Sequence, residues 1–224
     1  MEKQYTETST VLVKISRIIS VIFTPFVIPF GAFLVLFLFS YLRTLPFAYK
    51  FIVLGIVFCF TILMPVLTIL LFQKLNRFPA GELSNRNRRY VPYLLTIIPY
   101  IFCFIMMYRL DLLRYMTNII LTALLIMVVS FITNVKWKLS EHMLGVGGII
   151  GGLVSFSFIF GYNPVGWLCV FILIAGMLGT ARIVLRHHSL GEVLFGFIVG
   201  FICAILVLHP ETNHIFQFIY ISNY

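Results

Sequence analysis

Long stretches without charge are the feature of this sequence that most limits its fold. Seven runs contain no Asp, Glu, Lys or Arg, and most approach or exceed the roughly 20 apolar residues that a helix needs to cross a bilayer. Their approximate bounds are 18–42, 51–73, 90–108, 115–135, 143–161, 162–181 and 193–208. The sequence therefore predicts an all-α protein, a polytopic transmembrane helical bundle of about six to seven spans.

The composition excludes the main alternatives to a membrane protein. Hydrophobic residues make up 61% of the chain and charged residues 10%, against about 45–50% and about 25% in an average soluble domain. A soluble globular enzyme and a disordered chain are both excluded, and we expect residues 1–224 to form a single membrane domain. Pro25 and Pro29 interrupt the first run and predict a kink or a re-entrant segment there. The last run is short and can begin earlier, near Ser189.

The distribution of basic residues follows from the order of the spans. Each span carries the chain to the other side, so the N-terminus and the segments 74–89, 136–142 and 182–192 fall on one face. Twelve of the 16 Lys and Arg residues lie on this face. The positive-inside rule accounts for such an imbalance without any functional site.

Other polar residues gather on the same face, and the positive-inside rule does not require them. They include Ser140, His142, His188 and Glu192. Phosphate chemistry uses these residue types: cations hold the oxyanion, one group attacks, and an acid protonates the leaving group. The spans themselves hold no ionisable side chain of the kind that ion-coupled transporters use at depth. We therefore expect any chemistry to take place at the helix ends.

The segment 182–192 contains the clearest constellation. His188 and Glu192 are four residues apart, so they share one face if the last helix begins here. A carboxylate bound to one imidazole nitrogen fixes the tautomer and leaves the other nitrogen as a nucleophile. Arg182 can bind two phosphate oxygens with its guanidinium fork. The structural alternative is an interfacial cluster that caps the last helix, with the acid in its favourable first turn.

The segment 136–148 supplies a second group of polar residues. Ser140 is a candidate N-cap for the fifth span, and a helix start that carries a hydroxyl and the Lys138 ammonium is an anion site. His142 would lie in the first turn and face the same anion. The glycines of this span allow a neighbouring helix to approach closely; they are Gly145, Gly147, Gly148, Gly151 and Gly152.

A third group lies between the second and third spans. Arg86 and Arg89 are three residues apart, and a helix would align them on one side. Pro92 follows them at the start of the third span. These arginines are candidate phosphate ligands, and the alternative is a basic interfacial belt that binds anionic headgroups.

Taken in order, the three segments resemble the type 2 phosphatidic acid phosphatase (PAP2) superfamily. Its signatures read K-x6-R-P, P-S-G-H and S-R-x5-H-x3-D. The third signature is matched at full spacing by Arg182, His188 and Glu192, with Ala181 in place of Ser and a glutamate in place of the aspartate. Only His188 keeps this spacing, so His187 is its neighbour and not the nucleophile.

The other two signatures are matched less closely. The second is matched at two of its four positions, by Ser140 and His142. Leu139 and Glu141 stand where the family has Pro and Gly. The first is replaced by the arginine pair at 86 and 89 followed by proline at 92. The resemblance implies a PAP2-like core over about residues 84–208, preceded by two additional spans within residues 1–80.

The resemblance implies a membrane-embedded phosphatase that hydrolyses a lipid phosphate monoester or diphosphate through a phosphohistidine. Phosphatidic acid, phosphatidylglycerol phosphate and polyprenyl diphosphate are candidate substrates. The implied catalytic residues are His188, His142 and Glu192. The implied phosphate ligands are Arg86, Arg89, Lys138, Ser140 and Arg182. Cations neutralise the phosphate in this scheme, so neither a metal ion nor another cofactor is required.

The expected cellular location and partners follow from the same resemblance. We expect a multi-pass protein of the cell membrane, specifically the bacterial inner membrane, whose partners are the lipid substrate and the membrane lipids. A formal net charge of +9 would also suit nucleic acid, but no long soluble stretch presents a basic patch, so we expect no nucleic-acid partner. Two other functions stay open: a non-catalytic lipid-binding protein derived from this family, and a transporter. The sequence leaves open which side of the membrane the site faces and how many copies of the chain assemble.

Overall fold

The computed structural model describes residues 2–76, 90–134, 136–161, 163–212 and 214, and gives the backbone alone for 2–10, 39, 41 and 76. Every regular element in these ranges is helical, which confirms the predicted fold class. The α-helices are α1 (Glu2–Ile22), α2 (Val27–Phe39), α3 (Phe47–Phe58), α4 (Met64–Asn76), α5 (Tyr90–Arg109), α6 (Arg114–Thr133), α7 (Glu141–Phe160), α8 (Val165–Val184) and α9 (Leu190–Leu208). A 3-10 helix covers Tyr41–Thr44, and a π-helix covers Cys59–Leu63.

The lengths and surfaces of these helices are those of a membrane protein. Six helical segments in the described ranges are long and apolar enough to cross a bilayer, and 11–22 together with 27–38 can supply a seventh. Large apolar side chains are exposed on the long helices, for example Leu173 on α8 at 69% and Ile202 on α9 at 49%. Such continuous apolar surface needs lipid rather than water around it. The protein is a multi-pass membrane protein.

The first predicted run, 18–42, is two helices rather than one. Helix α1 ends at Ile22 and α2 begins at Val27, with Pro25 in the break. Proline lacks an N–H and disfavours helical backbone in the residue before it, which explains the interruption. Pro29 lies in the first turn of α2, where proline is tolerated. The break predicted from the prolines is therefore confirmed, whereas α1 starts well before residue 18.

The second predicted run is a single long helix with a local distortion. Helices α3 and α4 are joined by the π-helix, and together they form the apolar segment Phe47–Leu75. The Met64 N–H donates to the carbonyl of Cys59, five residues earlier. Pro65 follows directly and has no N–H to donate, so the change of register occurs where the regular pattern cannot continue.

The chain divides into two compact units. Unit 1 comprises Met1–Pro25 and Lys136–Tyr224, and unit 2 comprises Phe26–Val135. The predicted core over 84–208 runs across this division, and α1, which the resemblance leaves outside that core, belongs to unit 1. Within unit 2, α5 packs against α6 and α4, and the hydroxyls of Tyr93 and Ser130 form a buried hydrogen bond of 2.8 Å.

Unit 1 contains most of the predicted site residues. Helix α1 packs against α8, α8 against α7, and α7 against α9. Apolar side chains from all four helices form a common core; they include Met143, Val146 and Ile150 of α7, Leu178 of α8, Val193 of α9, and Ile19 and Phe23 near the end of α1.

The tightest contact in unit 1 lies between α7 and α9 and depends on glycine. Gly147 and Gly151 on α7 and Gly196 and Gly200 on α9 form two small-residue stripes with a spacing of four. A Cβ on Gly200 would collide with the carbonyl of Leu144, and one on Gly151 would lie 2.6 Å from the carbonyl oxygen of Phe201. The two backbones are therefore in direct contact, as in other membrane helix pairs of this type.

We expect Gly200→Ala to destabilise the protein because the new methyl group would meet backbone that cannot move aside. Overpacking of this kind typically costs about 1–3 kcal/mol. Gly176→Ala is the matched control, since a Cβ there meets nothing within 4 Å. Thermal unfolding in detergent would measure both variants, and equal midpoints for the two would contradict the glycine contact.

Candidate active site

The candidate site begins at the junction of α8 and α9, where His188 is held between two acceptors. Its side chain is buried, with the residue 6% exposed. The Nδ1 atom lies 3.1 Å from Oε2 of Glu192 and 3.3 Å from the carbonyl oxygen of Lys138. Carboxylate and carbonyl oxygens only accept, so Nδ1 carries the hydrogen. In the neutral imidazole the lone pair is then on Nε2, the atom that would act as a nucleophile.

Glu192 is fixed by the start of α9 itself. Its Oε2 also accepts the backbone N–H of Ser189 at 3.1 Å, and Ser189 Oγ accepts the backbone N–H of Glu192 at 3.4 Å. These two bonds form a capping box at the N-terminus of α9. Helix α9 begins at Leu190, so His188 precedes the helix and does not share its face as expected from the spacing. The contact with Glu192 forms because the carboxylate reaches back across the first turn.

Ser140 occupies the N-cap position of α7, as predicted, but its hydroxyl does not cap the helix. The residue is fully buried, and Oγ has no hydrogen-bond partner among the described residues. Its backbone N–H donates to the carbonyl of Glu192 at 3.4 Å. A Cβ on Gly196 would lie 3.1 Å from the carbonyl oxygen of Ser140. The segment that contains Lys138 and Ser140 therefore packs directly against the N-terminal part of α9.

His142 and Arg182 meet at a residue that the sequence analysis did not identify, Ser20 of α1. The His142 Nε2–H donates to the Ser20 carbonyl oxygen at 3.0 Å and lies 3.3 Å from its Oγ. Arg182 Nη1 donates to the same Oγ at 2.7 Å. Because the carbonyl can only accept, the hydrogen of a neutral His142 is on Nε2. Ser20 thus joins the predicted acid to a predicted phosphate ligand.

The position of Ser20 follows from the pattern and the end of α1. Ser16 and Ser20 are buried, whereas Ile15, Ile18 and Val21 are exposed. The face of α1 that carries the two serines therefore packs against the other helices of unit 1. The helix ends at Ile22, before the proline break. Carbonyls in a last turn lack intrahelical donors, and His142 donates to one of them. The spacing of the serines and the nearby proline were the available signals in the sequence.

The charges around this site are mostly positive. Partial burial lowers the pKa of His187, and the positive charges of Arg182, Lys138 and Arg17 lower it further. Arg17, Lys138 and Arg182 therefore all act on the segment just before His188. Lys138 was predicted as a phosphate ligand; its carbonyl is fixed on His188, and its ammonium belongs to this positively charged group.

An open cleft of about 420 Å³ adjoins the group, between α1 and the end of α8. Four of its eight lining residues are polar, and the other four are aliphatic. The polar residues are Arg17, Ser20, Arg186 and His187. Arg182 adjoins this cleft through its hydrogen bond to Ser20, so the cleft lies beside the predicted phosphate ligands.

The predicted site residues thus fall into two groups and a remainder. One group is His188, Glu192 and the Lys138 carbonyl, and the other is His142, Arg182 and Ser20. The chain from 138 to 142 contributes to both. Three predicted residues remain. Ser140 lies between the two groups in this segment, and its Oγ has no partner among the described residues. Arg86 and Arg89 lie outside the described residues, so their expected role stays a prediction.

Comparison of the chain with models of protein families, with curated proteins and with solved structures gives no significant match. The functional interpretation therefore depends on the site geometry and on the motif resemblance.

The pKa of His187 should respond to a bound anion. In the free protein, protonation adds a charge beside three cations, so the pKa lies below the ordinary value of about 6.5. A phosphate bound among those cations would favour the protonated imidazole and raise this pKa. NMR titration of the histidine ring signals, with His187→Gln for assignment, would measure the change. A pKa that stays constant or falls when inorganic phosphate is added would contradict an anion site here.

Proposed function

We propose that the protein is a membrane-embedded phosphatase of the PAP2 type that hydrolyses a lipid phosphate monoester or diphosphate. The observation that carries this proposal is the placement of His188, whose Nδ1 faces the Glu192 carboxylate and the Lys138 carbonyl. A purely structural capping residue would not need a buried imidazole with a fixed tautomer. Two of the basic residues that act on the adjacent His187, Arg182 and Lys138, supply the charge that the reacting phosphate needs.

In the first step, Nε2 of His188 attacks the phosphorus atom in line with the bond to the leaving oxygen. A P–N bond forms, the P–O bond breaks, and the electron pair of that bond goes to the leaving oxygen. Glu192 stabilises the positive charge that develops on the imidazole, as an oriented carboxylate does in other histidine sites. Protonated His142 gives a proton to the leaving alkoxide, and its Ser20 contact holds the other ring hydrogen on Nε2.

In the second step, water hydrolyses the phosphohistidine. His142, now neutral, accepts a proton from the attacking water as a new P–O bond forms, and the P–N bond breaks with its electron pair returning to Nε2 of His188, so that inorganic phosphate is released. Lys138 and Arg182 neutralise the oxygens of the transferring group, and fixed cations of this kind stabilise a phosphoryl transition state. The buried N–H groups at the start of α7 favour the same anion.

The position of the site suits a lipid substrate. The residues lie at helix ends in a multi-pass protein, so a lipid can present its phosphate while its chains stay in the bilayer. By the resemblance we place the protein in the bacterial inner membrane. The central parts of the six long spans carry no Asp, Glu, Lys or Arg, which favours chemistry at the membrane surface over transport through it.

The central experiment compares phosphate release and covalent labelling in His188 variants. His188→Asn keeps an amide N–H near the position of Nδ1 but has no nucleophilic nitrogen, so the fold should survive. We expect its rate to fall at least about a thousandfold. Phosphatidic acid, phosphatidylglycerol phosphate and a polyprenyl diphosphate, each dispersed in detergent, are the substrates. His209→Gln, which changes a histidine packed against Phe158, is the control.

Labelling then identifies the nucleophile. With a substrate carrying ³²P in its terminal phosphate, wild-type protein and His209→Gln should form an acid-labile adduct, and His188→Asn should not. Retained activity in a folded His188→Asn protein would refute the proposal. Lipid binding without turnover in the wild type would instead favour the non-catalytic lipid-binding alternative.

Ser20→Ala tests the contribution of α1 to the same site. The variant removes the acceptor of Arg182 but keeps the backbone carbonyl that binds His142. We expect kcat/KM to fall about tenfold, the size expected when a hydrogen bond to a charged group is lost. Ser16→Ala, a buried serine one turn earlier on the same side of α1, is the matched control, and Ser20→Thr should restore activity. Equal rates for Ser20→Ala and Ser16→Ala would show that the Arg182 contact has no effect.

A further inference from the structure

The cleft between α1 and the end of α8 contains cations that the proposed mechanism does not use. Arg17 and Arg186 line it, and neither belongs to any of the three signatures. No carboxylate among the described side chains forms an ion pair with either arginine. Two exposed guanidinium groups beside a hydroxyl and an imidazole form a positively charged space that opens next to Arg182.

The aliphatic half of the cleft is equally informative. Val21 on α1 and Val184 on α8 contribute to its walls. A site for a free, fully hydrated anion has no use for aliphatic walls, because such an anion retains its water on the exposed side. A headgroup that continues into a hydrocarbon chain satisfies both parts of the lining.

The end of α8 fixes the position of Arg186. Its φ is 54°, in the left-handed region that non-glycine residues avoid. The turn is fixed by backbone bonds from Arg186 N–H to the Ile183 carbonyl at 2.9 Å and from His187 N–H to the Arg182 carbonyl at 3.2 Å. These two bonds are those of a Schellman motif, in which a helix commonly ends with its C′ residue in the left-handed region, and here the motif places Arg186 at the cleft.

We propose that this cleft binds a second phosphate group of the lipid, separate from the one that is hydrolysed. The inference rests on the proposed function and specifies its substrate class: lipids with two phosphates in the headgroup, rather than phosphatidic acid with one. Arg17, Arg186 and His187 hold the second phosphate while Arg182 and Lys138 hold the terminal one. The aliphatic walls receive the first atoms of the lipid chain.

The second phosphate has a chemical role when it is the leaving group. In a prenyl diphosphate, attack by His188 on the terminal phosphorus breaks the bond to the bridging oxygen, and the electron pair goes to the departing prenyl phosphate. Cations in the cleft stabilise the charge that develops on that phosphate. In phosphatidylglycerol phosphate the second phosphate is a diester further along the headgroup, so the cleft contributes binding only.

The test uses two ligands that differ only in the second phosphate, farnesyl phosphate and farnesyl diphosphate. We expect wild-type protein to bind and hydrolyse the diphosphate at least about tenfold better, the size of one charge-assisted contact. Arg17→Gln and Arg186→Asn should each remove most of this preference, and asparagine tolerates the left-handed backbone at 186. Lys14→Gln and Lys136→Gln remove exposed charges outside the cleft lining and should keep the preference.

Binding measured in His188→Asn separates this inference from the proposed function. If the wild type turns over neither ligand but His188→Asn still prefers the diphosphate through Arg17 and Arg186, the phosphatase proposal fails and the cleft assignment holds. Equal binding of the two farnesyl ligands, or equal losses for both in Arg17→Gln, would overturn the assignment. A parallel comparison of phosphatidylglycerol phosphate with phosphatidic acid identifies which kind of two-phosphate lipid the cleft accepts.

Discussion

The direct backbone contact between α7 and α9 is the constraint on which the candidate site depends. Glycines at 147, 151, 196 and 200 leave no room for a side chain of their own, because a Cβ at each would lie against the backbone of the facing helix or of the segment before it. The starts of the two helices are therefore drawn together, and the Ser140 N–H reaches the Glu192 carbonyl. A wider spacing would separate the Lys138 carbonyl from His188 and leave the imidazole with one acceptor instead of two. The packing of the two helices thus supplies the second acceptor that holds the proposed nucleophile in place.

The capping and catalytic interpretations of the 188–192 segment were posed as alternatives, and the structure shows why they need not exclude each other. One oxygen of Glu192 accepts both the Ser189 backbone N–H and His188 Nδ1. The capping bond fixes the carboxylate rotamer, and the fixed carboxylate orients the imidazole. This dual use also gives a reason for glutamate where the PAP2 signature has aspartate, since a capping box needs the longer side chain to reach back to the N-cap.

The sequence predicted the helical class and most of the helices, because uncharged runs of about 20 residues leave few other structures in a bilayer. It also predicted the break at Pro25 and the pairing of His188 with Glu192. It did not predict the role of α1, because Ser16 and Ser20 are short polar residues in an apolar stretch and do not show which way they face. The glycines of α7 predicted the close approach of another helix, but they did not identify α9 as that helix, since stripe pairing depends on tertiary contact. His188 and Glu192 were predicted to share one helical face only if the last helix began at this segment; the helix begins at Leu190 with Ser189 as its N-cap, so His188 precedes it.

Helix polarity organises the charges of unit 1. Helices α7 and α9 begin at the site, and their free N–H groups and dipoles favour an anion there. Helix α8 ends at the site with Arg182 in its last turn, and α1 has its last turn at Ser20, so both present carbonyls that favour cations. The Ser20 hydroxyl, which accepts from Arg182 Nη1, and the C-terminus of α8 both stabilise this guanidinium near the imidazole of His142. The same arrangement keeps the phosphate-binding surface positive while Glu192, the acid closest to the nucleophile, is occupied with two N–H donors and does not repel the substrate.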